Sequence, residues 1–528
     1  MFNIKSIYFY FLAIQITLIK FFKKIYFSTK FYNNSLLSKI PQQFYFHPNP
    51  FLLSTITNYK KHLFKVSEID PNDFWGKSKN ISTERELHSF LWLNLIDRKN
   101  DGRSLQKIIN IWILKNSNYK RYVWESSVLS KRIISWILNV DIILNNAFFD
   151  FKKRFLQSII SQTNHLKKNI KFEKNYSKKI EILTALMLSG LVFKEYEENY
   201  EISIREIEKL VKNFFDKDGF PYSRNPSDLI IFSRHLLLCK ECIKDAQKYV
   251  PEFLENIIEK NLICIKNILT PDNEIPLFNG GIKENLGEFD KFLKNLDYKV
   301  KNKKNLIGGI QLLKYKNSLV FFDIGQPPSK NFSRKYQSGP LSFEYYLDNT
   351  KIITNCGFGS NISPKAELIS RLTFAQSTMT LNDTSVTKFE RNTLLNSVFG
   401  NSIKNSFQIS QAEYIENKDM IYSIASHNGY EKNYKCIFKR KLLINKITNN
   451  LQGYDEIIKK NDGKPVNYCI RFHLFPGLAA VKTMSGNSVL IQLSKNKSLM
   501  FSAKNELLKL EKSIYFGENK ILDNTCIT

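Results

Sequence analysis

The sequence predicts an α+β multidomain protein, a helical domain followed by an antiparallel β-sandwich. Three observations carry this. Apolar residues recur at helical spacing from about Phe74 to Asn295. Short runs rich in β-branched and aromatic residues, bounded by Gly, Asn, Asp and Lys, fill the chain beyond residue 306. Between them lies LKNLDYKVKNKKN, charge-rich and without a sustained apolar period, which reads as a linker. The segments are 1–73, basic with a short apolar run; 74–299, helical; and 306–528, β-rich. The 528 residues are 43% hydrophobic and 24% charged. That balance excludes a wholly disordered chain and a polytopic membrane protein.

The helical stripes follow one another at i, i+3, i+4, i+7 spacing. Leu105, Ile108, Ile109 and Trp112 form the first. Val128, Leu129, Ile133, Trp136 and Ile137 form the second, and Phe151, Phe155, Leu156, Ile159 and Ile160 the third. Ile182, Leu183, Leu186 and Met187 follow, with Ser189-Gly190 as the expected helix end. Ile204, Ile207, Leu210 and Val211 begin a fifth helix, and the runs at 229–238 and 253–265 supply two more. Stripes this wide are core whatever the protein does. The strand runs are GIQLLKY, NSLVFFDIG, LSFEYYL, KIITNCG, STMTLND, CIFKRKLLIN, YCIRFHLF, SVLIQLS and SLMFSA. Many short strands in series predict a sandwich.

The first thirty residues differ from the rest. An apolar run from Ser6 to Ile19 is flanked by Lys5 and Lys20, and nine Lys precede the first acid, Glu68. The run is short for the roughly 20 residues of a membrane-spanning helix. It reads either as an uncleaved signal or basic amphipathic helix in contact with a membrane surface, or as an ordinary helix docked on the body.

Lys and Arg number 78 against 49 Asp and Glu, a formal charge of +29. A polyanion would be attracted, but the Lys are spread over both halves, and an AT-rich coding bias alone produces such a surplus. The seven Cys are scattered, and the lone CxxC of Cys239 and Cys242 falls in a helical run, against a disulfide framework or a zinc site. No HExxH, Walker A loop, GxGxxG, GxSxG elbow or nucleic-acid signature occurs.

One ordered set of motifs remains. DGFPYSRNP (218–226) is followed by LFNGG (277–281), FFDIGQPP, YQSGPLSFEYY, IITNCG, RLTFAQSTMTLNDTS, HNGY, RFHLFPG and LEKSIYF (510–516). In type and order these resemble the heparinase II/III-like polysaccharide lyase family over residues 75–528. The resemblance implies that the helical domain is an (α/α) toroid. It implies β-elimination on an acidic, uronate-containing polysaccharide, a carbon–oxygen lyase activity in which a Tyr or His moves the proton beside a neutralised carboxylate.

By position in those motifs, Tyr222, Arg224, Asn225 and Tyr336 are the expected catalytic residues. Arg224 is expected to neutralise the uronate, and Tyr222 or Tyr336 to handle the proton. Gln337, Asn355 and Gln376 are the expected substrate-binding residues. The chain departs from the family at several of these places. Gln337 and Gln376 stand where His is usual, Asn355 where some members have Asp, and Pro221 where His is usual. Ser227 and Asp228 follow Pro226 in place of a Tyr. Two Gln and one Asn are poor zinc ligands, so Gln337, Asn355 and Gln376 are expected to lie together without metal, and no cofactor is expected. His427 and His473 match family positions, with core packing as the competing reading. The alternative function is a catalytically degenerate glycan-binding or envelope-polysaccharide assembly protein. An acidic polysaccharide is the expected partner and nucleic acid is not. The cell envelope or periplasm is the expected location, with the cytoplasm as the alternative.

Overall fold

In the helical part, the centre is the helix Tyr176–Val192, which is buried on every side from Ile180 to Val192. A helix apolar all round has no solvent face to offer, and this one is enclosed by the helices Ser126–Leu138, Phe149–Asn169, Glu197–Phe214 and Pro226–Asp245. The computed structural model describes residues 4–57, 70, 73–75, 81–300, 302–460, 466–504 and 506–528. His62 and the other residues of 58–69, within the segment 1–73, lie outside the described residues.

Ser189-Gly190 does not end its helix, which continues to Val192. A Cβ on Gly190 would lie 2.2 Å from the backbone nitrogen of Tyr200. The glycine therefore permits close approach of the next helix rather than a C-cap. The segment read as a separate N-terminal part also joins this core. Tyr32, Leu36, Phe44, Leu52 and Leu53 are buried in the same apolar cluster as the helices. They are too widely spaced in the chain to form a periodic signal.

The last helix of this part is Gly287–Asn295 and the first strand is Leu306–Ile307. The linker docks on the helical body: Lys304 pairs with Asp218 at 2.6 Å, and Tyr298 donates to Glu241. Two large antiparallel sheets follow, with smaller two- and three-stranded sheets beside them among the described residues. The eight-stranded sheet runs, in spatial order, 306–307, 310–315, 318–323, 343–347, 350–354, 472–474, 522–527 and 510–515. The four-stranded sheet runs 450–459, 436–445, 420–427 and 409–416. Val320, Phe322, Tyr345, Phe438, Leu442 and Ile444 share the core between them.

The strand Ser318–Asp323 is buried at every residue. Its alternate side chains point to opposite faces. Val320 and Phe322 enter the sandwich core, whereas Leu319 and Phe321 join Ile310, Leu312, Tyr346 and Phe278. Phe278 belongs to the LFNGG segment, so the outer face of the sheet is covered by the chain that leaves the helical domain. That contact places the loops of the two halves against each other.

Candidate functional site

The loop 216–225 enters the helix Pro226–Asp245, which Asn225 caps by accepting from the Ser227 backbone N–H at 2.8 Å, with Pro226 at the first helical position. The cap consumes the Asn225 side-chain oxygen and leaves its Nδ2 buried without a partner among the described residues. Arg224, at φ +57°, turns its guanidinium across to the sandwich. Its Nη2 lies 2.6 Å from Asp323 Oδ1, its Nε donates to the Gly308 carbonyl at 3.0 Å, and its Nη1 donates to the Gly325 carbonyl at 3.1 Å. A Cβ on Gly325 would sit 2.2 Å from Nη2, so only glycine admits the side chain there. The expected uronate cation is thus engaged on all three nitrogens as a tie between domains.

Tyr336 is buried, and its hydroxyl has no hydrogen-bond partner among the described residues. Burial drives its pKa well above the ordinary phenol value; the Asp323 charge adds to the rise and Arg224 opposes it. A phenol so placed is a poor base. Tyr222 is the accessible member of the set, 45% exposed, with its ring 5.7 Å from that of Phe332.

Gln337 and Gln376 meet in an amide knot at the Ser370 carbonyl, and Asn355 adjoins it through the backbone of Ser377. Gln337 Oε1 accepts from Gly280 N–H at 2.9 Å, and its Nε2 donates to the carbonyls of Gly357 and Ser370. Gln376 Nε2 donates to the same Ser370 carbonyl at 2.8 Å. Asn355 Oδ1 accepts from Ser377 N–H at 3.0 Å. All three residues are at most 2% exposed. The amide nitrogens of both Gln face carbonyl oxygens, and the oxygens of Gln337 and Asn355 already accept backbone N–H groups. This donor set does not fit zinc, and it offers no free edge to a sugar in the described arrangement.

His427 and His473 are core residues. His473 places Nδ1 2.9 Å from Ser513 Oγ and Nε2 3.0 Å from the Phe374 carbonyl. His427 packs among the rings of Phe407, Tyr430 and Phe438, tilted or edge-on to each. Burial lowers their pKa values to about 4 and about 3, so both are neutral at physiological pH. Burial likewise raises the Cys239 thiol to about 12, which removes the thiolate that metal or redox chemistry would need.

An open concavity of about 490 Å³ lies beside Tyr222 where helical domain and sandwich meet. Tyr176, Lys179, Glu206, Lys209, Leu210, Asn213 and Phe332 line it. Tyr176 and Phe332 pack with centroids 5.3 Å apart, and Phe332 continues to Tyr222. Lys209 is paired with Glu206, whereas Lys179 makes no ion pair among the described residues. Behind this aromatic row, Asp228 is held by Ser223, Ser177 and Lys335. An aromatic row next to a free ammonium suits the faces and carboxylate of an acidic sugar. Sequence reasoning missed Tyr176, Lys179 and Phe332. Phe332 precedes the YQSGPLSFEYY motif by a few residues, but nothing in the sequence marks Tyr176 or Lys179.

Residues 303–527 match the model described as heparinase II/III-like, C-terminal. This part of the chain belongs to the heparinase II/III-like family. The likeness of fold extends past it into the helical domain. A crystal structure of heparinase III aligns with TM-score 0.66 at 14% identity, covering 86% of this chain and 76% of that one. The heparan sulfate lyase HepC from Pedobacter heparinus aligns with TM-score 0.60 at 16% identity, covering 90% and 79%. Among curated proteins, the FtsZ-localized protein C of Caulobacter vibrioides is 22% identical over 453 residues, 81% of this chain and 75% of that protein. The fold is therefore heparinase-like, with the helical toroid and β-sandwich that the resemblance implied.

Proposed function

We propose that this heparinase-like protein binds an acidic, uronate-containing polysaccharide in the groove of Tyr176, Tyr222 and Phe332, and that the Arg224 loop does not carry β-elimination. One observation carries the reading: the Arg224 guanidinium is committed to Asp323 and two backbone carbonyls. A cation already neutralised by a buried carboxylate cannot lower the acidity barrier of a substrate carbon. The amide knot at Gln337 and the buried hydroxyl of Tyr336 support the same reading.

The groove retains what binding requires. Aromatic faces stack on apolar sugar faces, and Lys179 supplies the counter-charge. The second reading is lyase activity with Tyr222 as the proton-handling group, favoured by the solvent exposure of that ring. Incubation with uronate polymers such as alginate and hyaluronan, followed by ultraviolet absorbance of the unsaturated product and by affinity electrophoresis, separates the two. Retarded migration without absorbance is expected. Turnover by the wild type that is lost in Tyr222→Phe and kept in Tyr336→Phe would replace binding with catalysis.

A further inference from the structure

The helix Ile4–Phe27 has two unlike sides. One side faces the body. Ala13 is fully buried on it, Phe9 meets Phe399 of the sandwich domain at 6.0 Å, Lys23 lies over Phe172, and Phe27 packs on Tyr32. The opposite side carries Ile7, Phe11, Ile14, Leu18, Phe21 and Ile25, repeating at i, i+4, i+7, i+11, i+14 and i+18, with Phe22 beside them. At 3.6 residues per turn these positions form one stripe about 100° wide. Its members are between 49% and 68% exposed. The most apolar face of the helix therefore points away from the protein. Scattered exposed apolar residues are ordinary, but a continuous stripe of this length marks an interaction surface.

We propose that this stripe lies on an anionic lipid bilayer and holds the protein flat at the membrane surface. The stripe has aromatic residues along it, and no described helix is long and apolar enough to cross a membrane. The charge of the surrounding chain fits an anionic surface, since nine Lys and no acid precede Glu68. A zipper between two copies fits less well. Tyr8, Gln15 and Phe22 flank the stripe on one side and Tyr10, Thr17 and Lys24 on the other, so no pair of opposite charges would fix a partner helix. The apolar face is also wider than a two-helix seam. The proposal does not depend on the sugar reading, because the stripe faces away from the body and shares no residue with the groove.

The test uses the full chain, with its N-terminal segment verified by intact mass, sedimented with vesicles of pure phosphatidylcholine or of phosphatidylcholine with one-third phosphatidylglycerol. Strong binding to the mixed vesicles and weaker binding to the neutral ones are expected. The double variant Phe11→Glu, Leu18→Glu should lose about tenfold or more in partitioning, while its melting temperature stays at the wild-type value, because both side chains point into solvent. A Phe11→Trp variant should be quenched by brominated acyl chains. Four results would overturn the proposal: no binding to either vesicle, equal binding by the double variant, no quenching of Trp at position 11, or a dimer dissolved by the double variant with no uptake by vesicles.

Discussion

Arg224 and Asp323 form a buried ion pair across the domain boundary, 2.6 Å from Nη2 to Oδ1, with side-chain exposures of 9% and 2%. The pair joins the DGFPYSRNP loop to the strand Ser318–Asp323, so the loop that most resembles a lyase site holds the two domains in register. Removing one partner leaves the other charged in a low-dielectric interior, at a cost of about 3–5 kcal/mol. Arg224→Ala is expected to lower unfolding free energy by that amount in urea titrations. Asp323→Asn combined with it should recover part of the loss. Unchanged stability in Arg224→Ala, together with lost sugar binding or turnover, would return Arg224 to the substrate.

The amide knot gives a second expectation. Gln337→Ala strands Gly280 N–H and removes the donor to the Gly357 and Ser370 carbonyls. Each buried group left without a partner costs about 1–3 kcal/mol. The melting temperature should fall, and metal content should not change. Dialysis against a strong chelator should leave the wild-type melting temperature where it was. A drop on chelation, reversed by zinc, would restore a metal to this knot.

Buried histidines set a pH dependence. His165 is held to about 3, His427 to about 3 and His473 to about 4, each chiefly by burial. An unfolded His takes up its proton near pH 6.5, so the unfolded state binds more protons as pH falls below that value. Stability is fully present above about pH 6.5 and is lost progressively toward the folded values. Each residue contributes a slope worth on the order of 2–3 kcal/mol by about pH 4. The range from about pH 6.5 to 5 isolates the effect, because most carboxylates remain ionised there. His473→Gln should flatten the melting-temperature profile in that range. An unchanged slope would place the protons elsewhere.

The groove offers a fourth. Lys179→Ala and Phe332→Ala should each weaken binding of a uronate oligosaccharide by about 5- to 30-fold, from a lost counter-charge and a lost stacking face worth about 1–2 kcal/mol. Both should fold normally, since Lys179 makes no ion pair among the described residues and Phe332 is only partly buried. Calorimetric titration with oligomers of a uronate and of a neutral sugar reads the difference. Equal affinity for both sugars, or variants as tight as wild type, would move the binding surface away from Tyr176 and Tyr222.

Periodicity alone was enough to place the helices from Leu105 to Ile265 and the buried strands such as SLVFFD and CIFKRKLLIN, because burial selects apolar residues at a spacing each element imposes. It was not enough for Ile409–Glu416 or Asn450–Lys459. These are the edge strands of the four-stranded sheet, mostly exposed, and their side chains are polar. Ser189-Gly190 misled for a related reason: a glycine needed for close approach of two helices has the same letter as one that ends a helix. The ordered motifs pointed to Gln337, Asn355 and Gln376, but the backbone groups that engage their amides, such as the Ser370 carbonyl shared by both Gln, were not legible in them.

What each residue does at that place depended on distant partners. Arg224 reads as a substrate cation until Asp323, 99 residues later, is seen to neutralise it. Tyr336 reads as a proton carrier until the core closes over its hydroxyl. Phe332 joins Tyr176 and Lys179, one turn apart on the helix Tyr176–Val192, only when the helical domain docks on the sandwich. Local spacing is written along the chain, whereas the availability of a charge or hydroxyl is set by what folds against it.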